Sequence, residues 1–179
     1  MLLLSGCSGK EGKSVPSLPE NICWGAFDSS SVAPLLPTGR QAQVVMSEEP
    51  GFDIFKYRYQ ANASCDVKVD GKSGFYAFAR RQIRGKGADW NYGGFSTIRI
   101  PIGDEGFIWK STAASVFRCE RPDLPTGWDA AVGRLERNVV LRLVAATAPD
   151  NGQTRAALTA LMRRYVDFAK RELKCANGA

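Results

Sequence analysis

Apolar and polar residues alternate in short runs through the middle of the chain, a pattern typical of strands in a half-buried sheet. Strands are predicted at residues 43–46, 55–59, 65–69, 75–81, 98–102, 107–109, 114–119 and 139–146. Pro101 places the 98–102 strand at an edge, because proline cannot donate to a strand ladder. The last strand is apolar apart from Arg142, so we expect it to be the most buried one.

Two helices are predicted on either side of these strands. Residues 28–31 offer side chains that can cap a short helix over 32–36, which Pro37-Thr38-Gly39 ends. From Thr154 to about Lys174 the apolar period becomes helical, with basic residues on the other faces. The segment 70–74 is rich in turn residues and predicts a hairpin with a loop of about 3–5 residues.

The order of these elements predicts an α+β fold. We expect an antiparallel sheet of about five to seven strands, with the short N-terminal helix and the long C-terminal helix packed on it. We find no internal repeat. Residues 21–179 are predicted to form a single domain.

The composition excludes several classes of catalytic and metal site. The chain has 179 residues, 44% of them hydrophobic and 23% charged, which is the balance of an ordinary globular domain. It contains no histidine, and this excludes Ser-His-Asp and Cys-His catalysis as well as His-ligated metal sites. No apolar run reaches the length of about 18 residues that a membrane-spanning helix requires.

The N-terminal residues predict lipidation. Leu4-Ser5-Gly6-Cys7 has the form of a lipobox, in which small residues allow cleavage before a cysteine that carries a diacylglyceryl group. A signal peptide needs a basic start and roughly 7–15 apolar residues, so we expect the true start to lie upstream or the chain to have been shortened. Residues 1–7 are thus the remaining signal, and 8–20, rich in Gly, Ser, Lys and Pro, are a predicted tether.

Four further cysteines follow the tether, an even number that predicts two disulfides in an exported domain. Three pairings are possible. Cys23 opens the domain and Cys175 closes it, and domain termini often lie close together. Cys65 starts one predicted strand and Cys119 ends another, as in antiparallel neighbours. We therefore favour Cys23–Cys175 with Cys65–Cys119.

A glycine-rich stretch at 84–94 provides the candidate binding residues. It brings together cationic, amide and aromatic side chains of the kinds that hold sugars or peptides. The candidate residues are Arg84, Lys86, Trp90, Asn91 and Tyr92. The stretch is not a phosphate-binding loop, because the required spacing is missing. The alternative interpretation is a connecting loop whose aromatic side chains cover the sheet.

The positive charge and the adjacent carboxylates are the basis of two alternative functions, nucleic-acid binding and carboxylate-dependent catalysis. Residues 134–174 carry nine basic and four acidic side chains, which accounts for five of the net charge of +6. Such a surface could meet nucleic acid, anionic lipid or wall polymer, or simply be a solvated helix face. Glu48–Glu49 and Asp104–Glu105 are adjacent carboxylates in predicted turns, where acidic residues stabilise the turn and remain hydrated.

Several segments together resemble a known group of proteins. The segments are Leu4-Ser5-Gly6-Cys7, the polar tether, Ile22-Cys23-Trp24, Ser64-Cys65-Asp66-Val67 and Phe117-Arg118-Cys119-Glu120. In this order they resemble the small, uncharacterised cell-envelope lipoproteins of high-GC Gram-positive (actinobacterial-type) bacteria. The excess of Arg over Lys and the many Ala and Gly agree with such a genome. The resemblance implies location and architecture, and it supplies no catalytic residues.

The sequence predicts a lipid-anchored extracytoplasmic protein that binds or scaffolds without catalysis. Its expected partners are the membrane, through the lipid on Cys7, and an envelope protein or wall polymer. We expect no cofactor, no metal and no nucleic acid. One alternative is an enzyme that uses carboxylates on cell-wall glycans. The other is a cytoplasmic basic protein that binds nucleic acid, in which Cys7 is unmodified and the other thiols are reduced.

Overall fold

A computed structural model describes residues 14–47, 51–56, 62–82, 97–123 and 137–176. The strands are β1 (Asn21–Ile22), β2 (Phe27–Asp28), β3 (Ala42–Met46), β4 (Asn62–Val69), β5 (Lys72–Gln82), β6 (Ile98–Arg99), β7 (Glu105–Trp109), β8 (Thr112–Arg118) and β9 (Asn138–Ala145). The helices are α1 (Ser29–Val32), a 3₁₀ turn at Ala33–Leu35 and α2 (Gly152–Glu172).

A seven-stranded antiparallel sheet forms the body of the fold, in the order β3-β4-β5-β9-β8-β7-β6. The hairpins β4–β5 and β7–β8 are local, and β9 inserts between them as the central strand. Strands β1 and β2 form a separate short pair. The predicted α+β class is confirmed, with α1 at the N-terminus and α2 packed on the sheet.

Helix α2 covers one face of the sheet, called here the inner face. The Asn151 side chain caps the helix by accepting a hydrogen bond of 2.9 Å from the Thr154 amide. One stripe of the helix is buried, as the helical spacing predicts; it comprises Leu158, Leu161, Met162, Tyr165, Val166, Phe168 and Ala169. Phe27 of β2 packs between the two layers, with ring centroids 5.5 Å from Phe75 and 5.2 Å from Tyr165.

The β4–β5 hairpin is tighter than predicted. Val69 pairs with Lys72, which leaves only Asp70 and Gly71 in the turn. Both turn residues have positive φ, 48° and 79°, as in the type I′ turns that match the twist of two-residue hairpins. The remaining residues of the predicted loop belong to β5.

Two predicted strands differ from the structure. Residues 51–56 form turns, because the Asp53 side chain accepts a hydrogen bond of 3.0 Å from the Phe55 amide. The rest of the predicted 55–59 strand lies outside the described residues. The predicted 98–102 strand keeps only its first two residues, since the Ile102 amide donates to the Ile100 carbonyl across Pro101.

The predicted disulfide pairing is wrong, although the prediction of two disulfides is confirmed. Cys23 bonds Cys65, with Cα atoms 5.4 Å apart, and Cys119 bonds Cys175, with Cα atoms 4.8 Å apart. Strands β4 and β8 are not neighbours, because β5 and β9 separate them by three strand spacings, about 14 Å. That distance exceeds the reach of a disulfide from Cys65 to Cys119.

Each disulfide instead links a peripheral element to the sheet. Cys23 lies between β1 and β2 and ties that pair to β4. Cys175 follows α2 and ties the helix end to the residue after β8. Disulfides persist in oxidising compartments, so the two bonds indicate an extracytoplasmic environment.

Candidate binding face

The face of the sheet opposite α2, called here the outer face, carries aromatic and basic side chains. Paired residues of antiparallel neighbours project to the same face, so the register places them in rows across the strands. One row, called here the central row, contains Phe78, Arg142, Ala114, Phe107 and Arg99 on five successive strands, β5, β9, β8, β7 and β6. The row thus alternates aromatic rings and guanidinium groups around one small residue.

A second row runs beside the central row. It contains Tyr76, Val144, Thr112 and Trp109 on β5, β9, β8 and β7. The Tyr76 and Phe78 rings lie nearly parallel on one strand, with centroids 6.3 Å apart and planes 15° apart. Both side chains are half-buried. The two rows therefore place the half-buried Tyr76 and Phe78 rings side by side on β5, whereas Trp109 and Thr112 of the second row are buried.

Arg142 lies at the centre of this arrangement, on the central strand. Its guanidinium carbon is 5.9 Å from the Trp109 ring centroid, within the range of a cation–π contact. Arg99 makes a similar contact, 5.6 Å from the centroid of Phe107. These contacts orient two planar guanidinium groups against aromatic rings, and the polar edges of such groups suit carboxylate or phosphate.

Basic side chains outnumber acidic ones on the outer face. On the described strands the face carries Lys68, Arg80, Arg99, Arg118 and Arg142 against Asp66 and Glu105. Asp66 is already engaged, since it accepts a hydrogen bond of 2.7 Å from Ser73 and lies 4.0 Å from the Lys68 ammonium. Arg80 donates to the neutral side chain of Gln82 at 3.0 Å. Arg118 pairs with Glu120, so the exposed arginines of this face outside the described ion pairs are Arg80 and Arg99.

A different cationic cluster lies at the end of the inner face. The Phe55 ring is contacted by two guanidinium carbons, that of Arg81 at 5.3 Å and that of Arg121 at 5.4 Å. Arg121 also forms a two-bond pair with Asp123, at 2.8 and 2.9 Å. This hydrogen bonding raises the pKa of Arg121 and lowers the pKa of Asp123 from their ordinary values. The cluster joins the 51–56 turns to the end of β8, which is a structural role.

The predicted carboxylate pair at Asp104 and Glu105 is divided between two environments. Asp104 accepts a hydrogen bond of 2.8 Å from the Arg118 amide and so fastens the turn before β7 to the end of β8. Glu105 pairs with Val116 and projects from the outer face. The other pair, Glu48 and Glu49, lies outside the described residues.

The predicted lipidation site and the five residues predicted to bind ligand lie outside the described part of the chain. They are Cys7, the predicted lipidation site, and Arg84, Lys86, Trp90, Asn91 and Tyr92. In the sequence, the last five belong to the connection from β5 to β6, two strands that contribute to the central row.

Sequence reasoning missed the outer face. Arg142 is the one charged residue in the most apolar strand, and this exception could have indicated that the strand has a polar face. The alternation of Tyr76, Phe78 and Arg80 on β5 was a second signal, because all three project to the same face. Joining the two signals requires the strand order, which places β9 beside β5 although more than 50 residues separate them in sequence.

Comparisons with protein families, curated proteins and solved structures find no match to this chain. Within the described ranges, no helix is both long and apolar enough to cross a bilayer. Over those same residues, no three His, Cys, Asp or Glu side chains group closely enough to hold a metal ion.

Proposed function

We propose that this chain is a cell-envelope lipoprotein, anchored through a lipid on Cys7, whose folded head binds an envelope component without catalysis. The outer face is the observation that carries the binding proposal. The two disulfides support a location outside the cytoplasm. The lipobox and the residues after it would hold the head near the membrane, since stable anchoring takes two or more lipid chains.

The composition of the outer face supports binding. Aromatic residues and arginine are enriched in the cores of interfaces, because they combine a large contact area with directed polar groups. The outer face holds Tyr76 and Phe78 half-buried on β5, beside Arg142 on β9, and Phe107 half-buried on β7, next to the edge strand. Helix α2 packs on the opposite face, so it does not cover these rings.

The anchoring part of the proposal is tested by mass spectrometry of the protein from its native host, without reduction. We expect a diacylglyceryl group on Cys7 together with the two disulfide-linked peptides. A retained Met1 with free thiols would instead support the cytoplasmic, nucleic-acid-binding alternative.

The binding part is tested by co-sedimentation of the purified, oxidised chain with isolated envelopes of that host. We expect the double variant Arg142→Gln, Phe107→Leu to lose most of the bound fraction. Arg163→Gln on the exposed side of α2 removes the same charge elsewhere and should bind as the unaltered chain does. A parallel variant that changes Arg84, Trp90 and Tyr92 tests the predicted contact loop.

Two results would count against this proposal. Unchanged sedimentation of the outer-face double variant would move the binding surface away from the sheet. Release of soluble wall fragments from the envelopes during incubation would indicate the carboxylate-dependent enzyme that is the alternative function.

A further inference from the structure

We infer that two copies of this chain associate edge to edge, with β3 of one copy paired antiparallel to β3 of the other about Val44. This inference goes beyond the proposed function, because it concerns one edge of the sheet and requires neither the outer face nor the lipid anchor. It follows from the backbone of β3, from its exposed apolar side chains and from its lack of charge.

The edge of β3 that points away from β4, called here the free edge, carries backbone groups without a partner in the described part of the chain. β3 is the first strand in the order of the sheet, and its neighbour is β4. Bonded residues alternate in an antiparallel pair, and the Gln41 carbonyl and the Ser47 amide both bond the backbone on the β4 side. The N–H and C=O groups that point away from β4 are therefore those of Ala42, Val44 and Met46. Such a row is a template for a further strand.

The side chains of β3 do not protect the free edge. Natural sheets block their edges with charged side chains, proline or very short strands. β3 reads Ala-Gln-Val-Val-Met, with neither charge nor proline. Within the described ranges, the exposed large hydrophobic side chains are Val45 and Met46 of β3 and Ile98 of β6. Exposed apolar surface is thus concentrated on the strand whose backbone is unpaired.

The opposite edge of the sheet is protected. Strand β6 is only two residues long and carries Arg99. It ends before Pro101, where the Ile102 amide donates to the Ile100 carbonyl and the chain turns away. Because one edge is open and the other is blocked, edge-to-edge pairing joins two copies and closes there, instead of continuing into a longer assembly.

Antiparallel pairing about Val44 satisfies the free edges of both copies. Val44 bonds the second copy's Val44, and Ala42 bonds the second copy's Met46 through the groups that point away from β4. The small Ala42 side chain then faces the long Met46 side chain. On the outer face, Gln43 lies opposite the second copy's Val45. Paired residues project to the same face, so the two outer faces lie side by side in one continuous sheet.

The charge around β3 suits a second copy of this chain. The net charge is +6, so two copies repel each other unless they meet at a surface of low charge. Gln43 pairs with Lys68 and Val45 pairs with Asp66, so the row through Gln43 begins at Lys68 in one copy and ends at Asp66 in the other. That row is neutral, and the row through Val44 contains valine alone.

Sedimentation velocity of the full oxidised chain measures this association. The Cys7 thiol is alkylated first, so that it cannot link two copies. The concentrations run from about 1 μM to about 1 mM, which spans moderate and weak dissociation constants. We expect a species of twice the 19.5 kDa mass of the chain to increase with concentration, and no larger species to form.

Two variants with a matched control locate the contact. Val45→Lys places like charges near each other at the free edge and should weaken dimerisation about tenfold or more. Ile98→Lys makes the same kind of change at the opposite edge and should alter dimerisation by less than about twofold. Val44→Pro removes an N–H that points away from β4, leaves the β3–β4 ladder intact and should abolish the dimer. Val45→Lys carries the test if Val44→Pro fails to fold.

A compensating variant tests the register. Gln43→Glu combined with Val45→Lys places the new carboxylate of each copy opposite the new ammonium group of the other. Opposite charges across paired strands stabilise the pair, so the double variant should regain most of the dimer that Val45→Lys loses. Circular dichroism and thermal unfolding establish that each variant is folded.

Several results would overturn the inference. A chain that stays monomeric over the whole range would leave the free edge to an extended segment of another protein. Equal loss of dimer in Val45→Lys and Ile98→Lys would move the contact away from β3. Species larger than a dimer would contradict a closed pair, and failure of the double variant to regain dimer would exclude the register about Val44. The envelope sedimentation of the outer-face double variant is a separate measurement, so it decides the proposed function independently.

Discussion

Tyr165 is the largest side chain that is completely buried in the described core. Its ring packs against Phe27 and Phe52, and its hydroxyl has no hydrogen-bond partner among the described residues. Burial raises the pKa of this hydroxyl well above its ordinary value, so the group is neutral. An unpaired buried hydroxyl costs folding free energy that the ring packing offsets.

Tyr165→Phe should therefore leave the free energy of unfolding unchanged or raise it by about 1 kcal/mol, because the ring stays and the unpaired hydroxyl is removed. Tyr165→Ala should lower it by about 3–5 kcal/mol through the cavity it leaves. Urea unfolding of the oxidised chain measures both. A clear loss of stability in Tyr165→Phe would mean that the hydroxyl is paired.

Asp28 links the N-terminal elements to α2. Its carboxylate lies 2.7 Å from the Arg164 guanidinium, and this hydrogen bond lowers the pKa of Asp28 below its ordinary value of 3.8. The lowered pKa means that the folded state favours the charged carboxylate. The resulting stabilisation is present above pH about 4 and is lost as the pH falls through the lower, folded-state pKa.

Between pH 6 and pH 2 we expect the midpoint of thermal unfolding to fall less for Asp28→Asn than for the unaltered chain, because the variant has no carboxylate to protonate. Arg164→Gln should reproduce the effect, because it removes the partner of the same pair. Arg163→Gln, one position along the helix, should retain the acid dependence of the unaltered chain. An unchanged profile in Asp28→Asn would show that the pair does not contribute in solution.

At the scale of elements, the disulfides attach the periphery to the sheet. Serine replacement of the Cys23–Cys65 pair, or of the Cys119–Cys175 pair, should lower the free energy of unfolding by about 2–4 kcal/mol. Proteolysis without reduction should yield these two linked peptides. Recovery of a peptide joining Cys23 to Cys175 would contradict the architecture, because those residues are held by different parts of the fold.

The β4–β5 turn depends on its glycine. Gly71 has φ of +79° with open space around its Cβ position, so alanine there is strained by backbone conformation rather than by contact. We expect Gly71→Ala to cost about 1 kcal/mol in thermal or urea unfolding. Gly152→Ala is the control, because Gly152 begins α2 without a positive φ and has no atom within 4 Å of its Cβ position. This variant should change the free energy of unfolding by less than about 0.5 kcal/mol.

Sequence periodicity predicted most of these elements, because alternating burial and helical stripes are local properties. The α2 stripe and the strands around β4, β5, β8 and β9 follow from it. The predicted strand at 55–59 is wrong at residues 55 and 56, where the structure has turns. The Asp53 side chain accepts a hydrogen bond from the Phe55 backbone amide, and such a local preference is not visible in the alternation of apolar and polar residues. The β1–β2 pair was missed because it is only two residues long on each side.

The disulfide pairing and the outer face were not predictable in the same way. Both depend on strand order, which places β9 between two hairpins and separates Cys65 from Cys119. No residue in β9 specifies that insertion by itself. Arg142 was visible as an exception in an apolar strand, yet its aromatic neighbours come from strands far away in the sequence.

At the scale of the whole molecule, the fold has two unlike faces. Helix α2 and the β1–β2 pair close the inner face into the core, while the outer face carries half-buried rings and arginines. Aromatic and arginine side chains of this kind are enriched at interaction sites. The central claim of this account is that an envelope component is bound there.

Hydroxyl-radical footprinting of the oxidised chain, with and without isolated envelopes, tests that claim most directly because it reads side chains individually. We predict that oxidation of Tyr76, Phe78 and Phe107 falls when envelopes are present. Trp24 is also half-buried but lies between β1 and β2, so its oxidation should not change. Unchanged oxidation of the three outer-face rings, or protection confined to Trp24 and α2, would contradict the account.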